Sequence, residues 1–223
     1  MKNTFCIIFL TLLLTYLIIT ACTPTPSPDY TSSQRITVLV SYFERNSTRE
    51  DMEDYRVGLT DMFITELEKI PELQVVQRKR LDAIMSEAEL SEMGIVDAST
   101  AQKVGRLVGA QAIYKGSFTT FGSMMRLDGH LIRLETYEVL AAGEDTCKID
   151  DKEIFKMVGK QASIIRDKVK ANHNRLLADS FYSKGRTAEE NGNPAEAVKL
   201  YQMALQYHRG HESSRKALER LSP

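Results

Sequence analysis

Three predicted β-strands follow one another in QAIYKGSFTTFGSMMRLDGHLIRLETYEVLAAGEDTCKI, residues Gln111 to Ile149. Gly122-Ser123 is typical of a tight hairpin turn between the first two strands, and Thr136-Tyr137 separates the second from the third. Residues on the second strand alternate between two faces, with Leu127, Gly129, Leu131 and Arg133 opposite Asp128, His130 and Ile132. This period of two predicts a sheet that packs one face against a core.

The flanking segments predict helices on that sheet. A β-branched and aromatic run, Arg35 to Phe43, predicts a buried first strand, which polar Glu44-Arg45-Asn46 ends. A capping box at Ser47-Thr48-Arg49-Glu50 precedes an apolar helical stripe that Pro71 stops. The remaining predicted elements are a strand at Leu73 to Gln77, helices around Leu81 to Ala88 and Ser99 to Val108, and a helix beginning at Asp150-Asp151.

The order β-α-β-α-α-β-β-β-α predicts an α+β fold, a mixed β-sheet with packed helices. Downstream of it, from about Leu176, the pattern predicts an α-helical hairpin. Asn193 is its predicted cap, Pro194 its first helical residue and Glu196 the end of a capping box.

Composition excludes several classes of function. The 29 basic and 30 acidic residues leave a formal charge of -1, so no basic surplus points to nucleic acid. No nucleophile elbow, phosphate-binding loop or zinc spacing is present, and we predict no catalytic residue, cofactor or metal. His208 and His211 could share a helix face, but no further ligand joins them, and they are interpreted as surface histidines.

The other charged or reactive groups have simple structural explanations. Glu50, Asp51, Glu53 and Asp54 lie near a helix start, where negative charge favours the helix dipole. Arg78-Lys79-Arg80 is a short solvated run, with an acidic partner or lipid head groups as the second reading. Cys147 has no second cysteine at C-x-x-C spacing and is predicted to be a small core residue.

The first 22 residues have the layout of a secretory signal. Lys2 is followed by an uncharged apolar run, and Ile19-Thr20-Ala21-Cys22 then resembles the cleavage motif of bacterial lipoproteins. An ordinary signal peptide or a transmembrane anchor is the alternative, since the run approaches the ~17–25 residues that span a bilayer. The resemblance favours a signal peptide over residues 1–21 and lipid attachment at Cys22.

A Pro/Ser/Thr linker follows over residues 22–34. Its prolines favour extended geometry, at ~3.1 Å per residue, so it would hold a domain away from the membrane. Thr23 stands where many lipoproteins retained at the inner membrane have aspartate. By resemblance to enterobacterial sorting, this implies the outer membrane, with the protein facing the periplasm.

From Arg35 to about Lys170 the chain resembles the CsgG family of outer-membrane lipoproteins. The segments that carry the resemblance are Val75 to Glu87, Gly94 to Ala101, Val104 to Ala110, Gly116-Ser117-Phe118, Leu131 to Thr136 and Glu138 to Ala142. The family includes the curli secretion channel subunit, activators of penicillin-binding proteins and flagellar lipoproteins. The channel subunit carries membrane hairpins after the strand ending near Phe121 and before the helix near Asp151; both insertions are missing here.

The tail resembles a tetratricopeptide repeat over residues 176–223, including a cap helix from His211 to Leu221. Matching positions are Phe181, Gly185, Gly192, Ala197, Tyr201 and Ala204. Lys184 and Ala188 depart from the pattern, and an ordinary helical hairpin is the alternative. Such repeats normally stack in about threes to bury a core.

The resemblance implies a non-catalytic, lipid-anchored adaptor that supports assembly or secretion of envelope or surface structures through protein contacts. A curli-type channel subunit and an activator of a penicillin-binding protein are the alternatives. The implied partners are the membrane, through Cys22, and an envelope protein that the sequence does not identify. Homo-oligomerisation is a further option.

Overall fold

The structure is a computed structural model that describes residues 34–47, 49, 52–76 and 98–221. The described strands are β1 (Ile36–Val40), β2 (Glu44–Arg45), β3 (Leu73–Val75), β4 (Ala112–Phe121), β5 (Met124–Arg133) and β6 (Val139–Lys148). The described helices are α1 (Glu53–Glu68), α2 (Ala98–Val108), α3 (Asp151–Glu190), α4 (Pro194–Tyr207) and α5 (Glu212–Leu221). The predicted α+β class, with a helical hairpin at its end, is confirmed.

The strands form one mixed sheet in the order β3-β1-β4-β5-β6, with β2 also paired to β4. Strands β1, β2 and β3 make parallel pairs, whereas β4, β5 and β6 form an antiparallel meander. Both predicted turns are present, with Gly122 at φ 58° and Tyr137 at φ 59°. The left-handed region is sterically unfavourable for a tyrosine, so the second turn is strained.

Each face of the sheet has its own apolar cluster. Helices α1 and α3 cover one face, where Tyr114, Phe118 and Leu127 are buried with Phe63 of α1 and Ile165 of α3. Helix α2 covers the other face only at one end, where Val104 and Val108 pack against Ile113, Ile132 and Leu134. The alternation along β5 agrees with this, since Leu127 and Leu131 are buried whereas His130 is exposed.

A row of three glycines crosses the face of the sheet that α1 and α3 cover. Gly116, Gly129 and Gly143 are direct partners on β4, β5 and β6. A Cβ on each would come within 3.0 Å of a large side chain: Phe43, Tyr114 and Gln161 respectively. The absence of side chains at these positions therefore makes room for three bulky groups beneath the helices.

The first strand is shorter than predicted. The sequence predicts that polar Glu44-Arg45 ends it, yet these residues pair with Ser117 and Phe118 as a separate strand. The intervening Phe43 is fully buried above Gly116, which takes the chain out of the ladder before it rejoins β4. Strand β4 is twice as long as β1, so β2 can pair with the part of β4 that β1 does not reach. The local sequence of Glu44-Arg45 does not indicate this pairing.

The start of α1 also differs from the prediction. Its N-cap is Met52, which makes no side-chain capping bond, so Ser47 is not the cap. The Ser47 hydroxyl accepts from the backbone N–H of Arg49 at 3.2 Å, ahead of the helix, and lies 2.5 Å from the hydroxyl of Thr120 on β4. Thr48 and Glu50 of the predicted box, and the predicted helix from Leu81 to Ala88, lie outside the described residues.

Helix α3 is continuous over 40 residues, from Asp151 to Glu190. The sequence predicted one helix with a stripe to Val169 and a separate hairpin from about Leu176; one helix supplies both. Asp150 caps it, accepting hydrogen bonds from the backbone N–H groups of Lys152 and Glu153. Leu176 and Leu177 belong to the same apolar cluster as the sheet, so the helix enters the hairpin without leaving the core.

Candidate interaction surface

A buried ion pair joins the sheet to the helical hairpin. Arg133, at the end of β5, donates from Nε to Oδ2 of Asp179 on α3 at 2.6 Å and from Nη2 to Oδ1. This bidentate geometry is the strong form of a guanidinium–carboxylate contact. Burial opposes the charge of Arg133, but hydrogen bonds and the charge of Asp179 outweigh it and hold the pKa of Arg133 above its ordinary value.

His211 extends this pair to the last helix. The prediction of a surface histidine is wrong for His211, which is buried, while His208 is half-buried. The backbone N–H of Ser214 donates to Nδ1 of His211 at 3.2 Å, so Nε2 carries the proton and donates to Asp179 at 3.0 Å. Arg133, Asp179 and His211 thus connect β5, α3 and the start of α5.

Ser214, His211 and Asp179 follow one another as in a nucleophile relay, with the Ser214 hydroxyl 2.8 Å from His211 Nδ1. Nucleophilic catalysis needs a hydroxyl that a substrate can reach. Ser214 is 0 % exposed, and its own backbone occupies the same imidazole nitrogen. The arrangement is therefore a structural clamp.

A second connection runs beside the clamp through Glu135. The Ser213 hydroxyl of α5 donates to its carboxylate at 3.0 Å, and Gln102 of α2 donates to its backbone carbonyl at 3.1 Å. Burial raises the pKa of Glu135 above its ordinary value, although the Ser213 hydrogen bond lowers it. Glu135 thus lies where α2, the sheet and α5 meet.

Two adjoining spaces open beside Glu135. One is a polar cavity of about 90 Å³ lined by Gln102, Arg106, Ala110, Gln111, Leu134, Glu135, Asp179, Ser183 and Arg186. The other is an open groove of about 400 Å³ along α3 and α4, lined by Arg106, Gly109, Ser183, Lys184, Thr187, Ala188, Asn191, Asn193, Glu196 and Leu200. Arg106 and Ser183 line both, so the cavity opens into the groove.

The hairpin beside the groove packs as its small residues predict. A Cβ on Gly185 would lie 2.5 Å from the Tyr201 ring, and Ala197 and Ala204 are fully buried. Asn193 caps α4 by accepting from the backbone N–H of Glu196 at 3.2 Å. The predicted reciprocal bond takes another form, since the Asn193 side-chain amide donates to the Glu196 carboxylate. That this hairpin is a tetratricopeptide repeat stays a prediction.

The other residues singled out in the sequence are dispersed. Cys147 is half-buried at the margin of the core, and Glu53 pairs with Arg45 and Arg56 at the start of α1. Cys22, Glu50, Asp51 and the Arg78-Lys79-Arg80 run lie outside the described residues. In the part of the chain that is described, no three His, Cys, Asp or Glu side chains are placed to hold a metal ion.

Several large apolar side chains are exposed on the described surface. Phe121 at the β4–β5 turn, Phe155 on α3 and Leu107 on α2 are each more than half exposed. Single exposed apolar residues are normal on protein surfaces. The groove with its charged cavity is therefore the better-formed interaction site. None of the helices described has the length and apolar character to cross a membrane.

Residues 30–159 match the family model described as curli production assembly/transport component CsgG. The chain belongs to the CsgG family. This match spans the sheet, α1, α2 and the first turns of α3, so the family domain carries one wall of the groove and the tail carries the other. A comparison with curated proteins finds no match.

Several solved structures are similar to the CsgG-family chain. The C-terminal domain of LpoB from Salmonella enterica is 18% identical, over 51% of this chain and 82% of that one, with a TM-score of 0.43. A lipoprotein of Neisseria meningitidis is 11% identical, over 59% and 99%, with a TM-score of 0.45. The PelC dodecamer from Paraburkholderia phytofirmans is 14% identical, over 64% and 94%, with a TM-score of 0.40. The family assignment rests on the sequence model.

Proposed function

We propose that this protein is a non-catalytic adaptor, anchored by lipid on Cys22 to the outer membrane and facing the periplasm. The observation that carries the proposal is the order of segments along the chain. A lipoprotein-type signal and a proline-rich linker lead directly into the CsgG-family match at residue 30. Acyl chains contribute about 0.8 kcal/mol per buried methylene, so several chains give stable anchoring where one would be marginal.

The geometry supports work by protein contact. The groove between α2 and the α3–α4 hairpin is open, has the volume of a ligand site, and is lined by polar and charged side chains together with Ala188 and Leu200. The Ser214–His211–Asp179 arrangement is closed to substrate. We infer that the domain and hairpin together present a surface that positions or activates an envelope protein in the assembly or secretion of surface structures.

Two alternatives share the same fold. In a curli-type channel subunit, membrane hairpins would be inserted after Phe121 and before Asp151. Here Gly122-Ser123 closes the β4–β5 hairpin and Ile149-Asp150 leads from β6 into α3, which favours the adaptor. An activator of a penicillin-binding protein is a special case of the adaptor, and the identity of the partner separates the two.

The anchor is tested by metabolic labelling with palmitate and by membrane fractionation. We expect Cys22→Ala to lose the label and leave the membrane fraction. Cys147→Ala is the matched control, because it removes the other cysteine of the mature chain and should keep both label and location. Label that persists on Cys22→Ala would refute the lipid anchor.

The partner is tested by crosslinking the tagged full-length protein in cells and identifying the captured proteins by mass spectrometry. Recovery of a penicillin-binding protein would make this an activator of cell-wall synthesis. Recovery of itself with secretion, fibre or flagellar components would make it an accessory of a surface-assembly machine. Capture of no envelope protein by the lipidated form would contradict the adaptor role.

A further inference from the structure

The size of the cavity beside Glu135 indicates what it can hold. Its volume is about 90 Å³, which corresponds to roughly three water molecules at ~30 Å³ each. Pockets for whole small molecules are usually about 300–1,000 Å³. The adjoining groove, at about 400 Å³, reaches that range. A side-chain-sized cavity that opens into a longer groove suits one side chain of a peptide whose backbone lies in the groove.

The two carboxylates in the cavity differ in their partners. Asp179 is neutralised by the bidentate contact with Arg133 and also accepts from His211. Glu135 accepts from the neutral Ser213 hydroxyl, and nearby His211 and Arg133 also lower its pKa, but within the described chain no Lys, Arg or His forms a direct ion pair with it. Glu135 is half-buried, and removing a carboxylate from water is costly unless a cation pairs with it. Glu135 is therefore the group in the cavity that a cationic ligand would stabilise.

The two guanidinium groups that line the cavity do not fill this role. Arg186 pairs with Glu190 one turn along α3. Arg106 is exposed at the end of α2, forms no ion pair with any described residue, and stands where the cavity meets the groove. The groove is lined by Arg106, Lys184 and one acidic residue, Glu196, so its charged residues are mainly basic. The cavity beside it contains Glu135, the carboxylate that forms no direct ion pair.

We propose that the Glu135 cavity receives a lysine or arginine side chain of a partner peptide whose backbone lies in the groove between α2 and the α3–α4 hairpin. This rests on the proposed adaptor function and names the chemistry of its partner. Charge complementarity selects the occupant, since Glu135 is the cavity carboxylate that forms no ion pair. An acidic peptide would instead meet Arg106 and Lys184 in the groove and leave the cavity unfilled.

The test uses the isotopically labelled full chain in detergent micelles and two capped peptides, Ala-Ala-Arg-Ala-Ala and Ala-Ala-Glu-Ala-Ala. We expect the arginine peptide to shift the backbone amide signals of Gln102, Glu135 and Ser183 in a saturable way. Glu135→Gln should weaken that binding by about tenfold or more. Ser213→Ala is the control, because it removes the hydrogen bond between Glu135 and α5, which glutamine can still accept, but keeps the carboxylate charge. It should bind within about twofold of the parent.

Three results would overturn the proposal: no saturable shift with the arginine peptide up to about 10 mM, equal binding by Glu135→Gln, or shifts of the same amides by the glutamate peptide. A loss of binding in Ser213→Ala equal to that in Glu135→Gln would also overturn it, since binding would then not depend on the carboxylate charge. The crosslinking experiment tests the adaptor function separately. An envelope partner captured equally by Glu135→Gln and the parent would contradict the cavity proposal but support the adaptor function.

Discussion

The hydroxyl of Tyr114 lies directly over Gly129 on the neighbouring strand, so close that a Cβ on that glycine would fall within 3.0 Å of it. Tyr114 cannot withdraw, because its ring stacks on Phe63 of α1 with 4.0 Å between centroids. Its hydroxyl is buried and finds no hydrogen-bond partner among the residues described, and burial raises its pKa. The middle of the glycine row therefore fixes how closely α1 approaches the sheet.

Gly129→Ala should lower the free energy of unfolding by about 1–3 kcal/mol, the usual cost of overpacking a core. Gly159→Ala is the control, since no neighbouring atom lies within 4 Å of its Cβ position in α3. That change should stabilise by about 0.5–1 kcal/mol. Urea denaturation of both variants measures the difference. Adding Tyr114→Phe to Gly129→Ala should recover part of the loss, and equal stability of the two glycine variants would contradict the packing described.

Asp179→Ala should cost about 3–5 kcal/mol of unfolding free energy, because it leaves the buried guanidinium of Arg133 uncompensated. Glu212→Gln, which removes an exposed pair with Lys216, should leave the melting midpoint unchanged. Thermal unfolding followed by circular dichroism gives the comparison. The double change Arg133→Met with Asp179→Leu should lose less than Asp179→Ala alone, since both charges are then gone. A midpoint for Asp179→Ala equal to that of Glu212→Gln would show that the clamp is not needed for stability.

Glu135→Gln should change how stability depends on pH. Because the pKa of Glu135 is raised in the folded protein, the folded state holds the proton more tightly than the unfolded chain. Stability is therefore lost as the pH rises from the unfolded value, near ~4.3, through the folded-state pKa, and it stays reduced above that pKa. Glutamine does not titrate. The unfolding free energy of Glu135→Gln relative to that of the parent should therefore increase across this pH window and then level off.

Denaturation of Glu135→Gln and the parent at several pH values between about 4 and 8 measures this. Ser213→Ala sharpens the test, because the Ser213 hydrogen bond lowers the pKa of Glu135 and its removal should widen the window. A difference in unfolding free energy between Glu135→Gln and the parent that is the same at every pH would contradict this prediction.

Deleting residues 176–223 should abolish cooperative unfolding of the remaining domain. Leu176 and Leu177 are buried in the sheet's own cluster, and removing each costs about 2–5 kcal/mol. With the loss of the Asp179–Arg133 ion pair added, the total loss of stability comes close to the whole unfolding free energy of a typical domain, ~5–15 kcal/mol. Deleting residues 193–223 keeps these groups and should leave a cooperative, less stable domain. Cooperative thermal unfolding of the protein that lacks residues 176–223 would show that the hairpin is a separable appendage.

Local features were predictable from sequence because they depend on neighbours along the chain. The two-residue turn at Gly122-Ser123, the alternation along β5 and the Asn193 cap all follow from spacing and residue type. Small residues at Gly185 and Ala204 indicated the close helix pairing in the same way.

The clamp was not predictable in this way. Arg133 and Asp179 are 46 positions apart, and Asp179 and His211 are 32 apart. One signal could have pointed to it: Arg133 falls on the same alternating face as Leu127 and Leu131, and a cation on a core face needs a carboxylate nearby. The sequence assigns His211 to the surface because no further metal ligand lies near it along the chain, and its actual partner Asp179 is too distant in sequence to be identified from spacing.

Helix α3 runs for about 60 Å, given ~1.5 Å of rise for each of its 40 residues. Its middle is held in the sheet's core and its far end forms a wall of the groove. Because α3 is unbroken, a force on a partner bound in the groove would pass along the helix to Asp179, and through its bidentate contact with Arg133 to the end of β5. The helix would then connect the groove rigidly to the sheet.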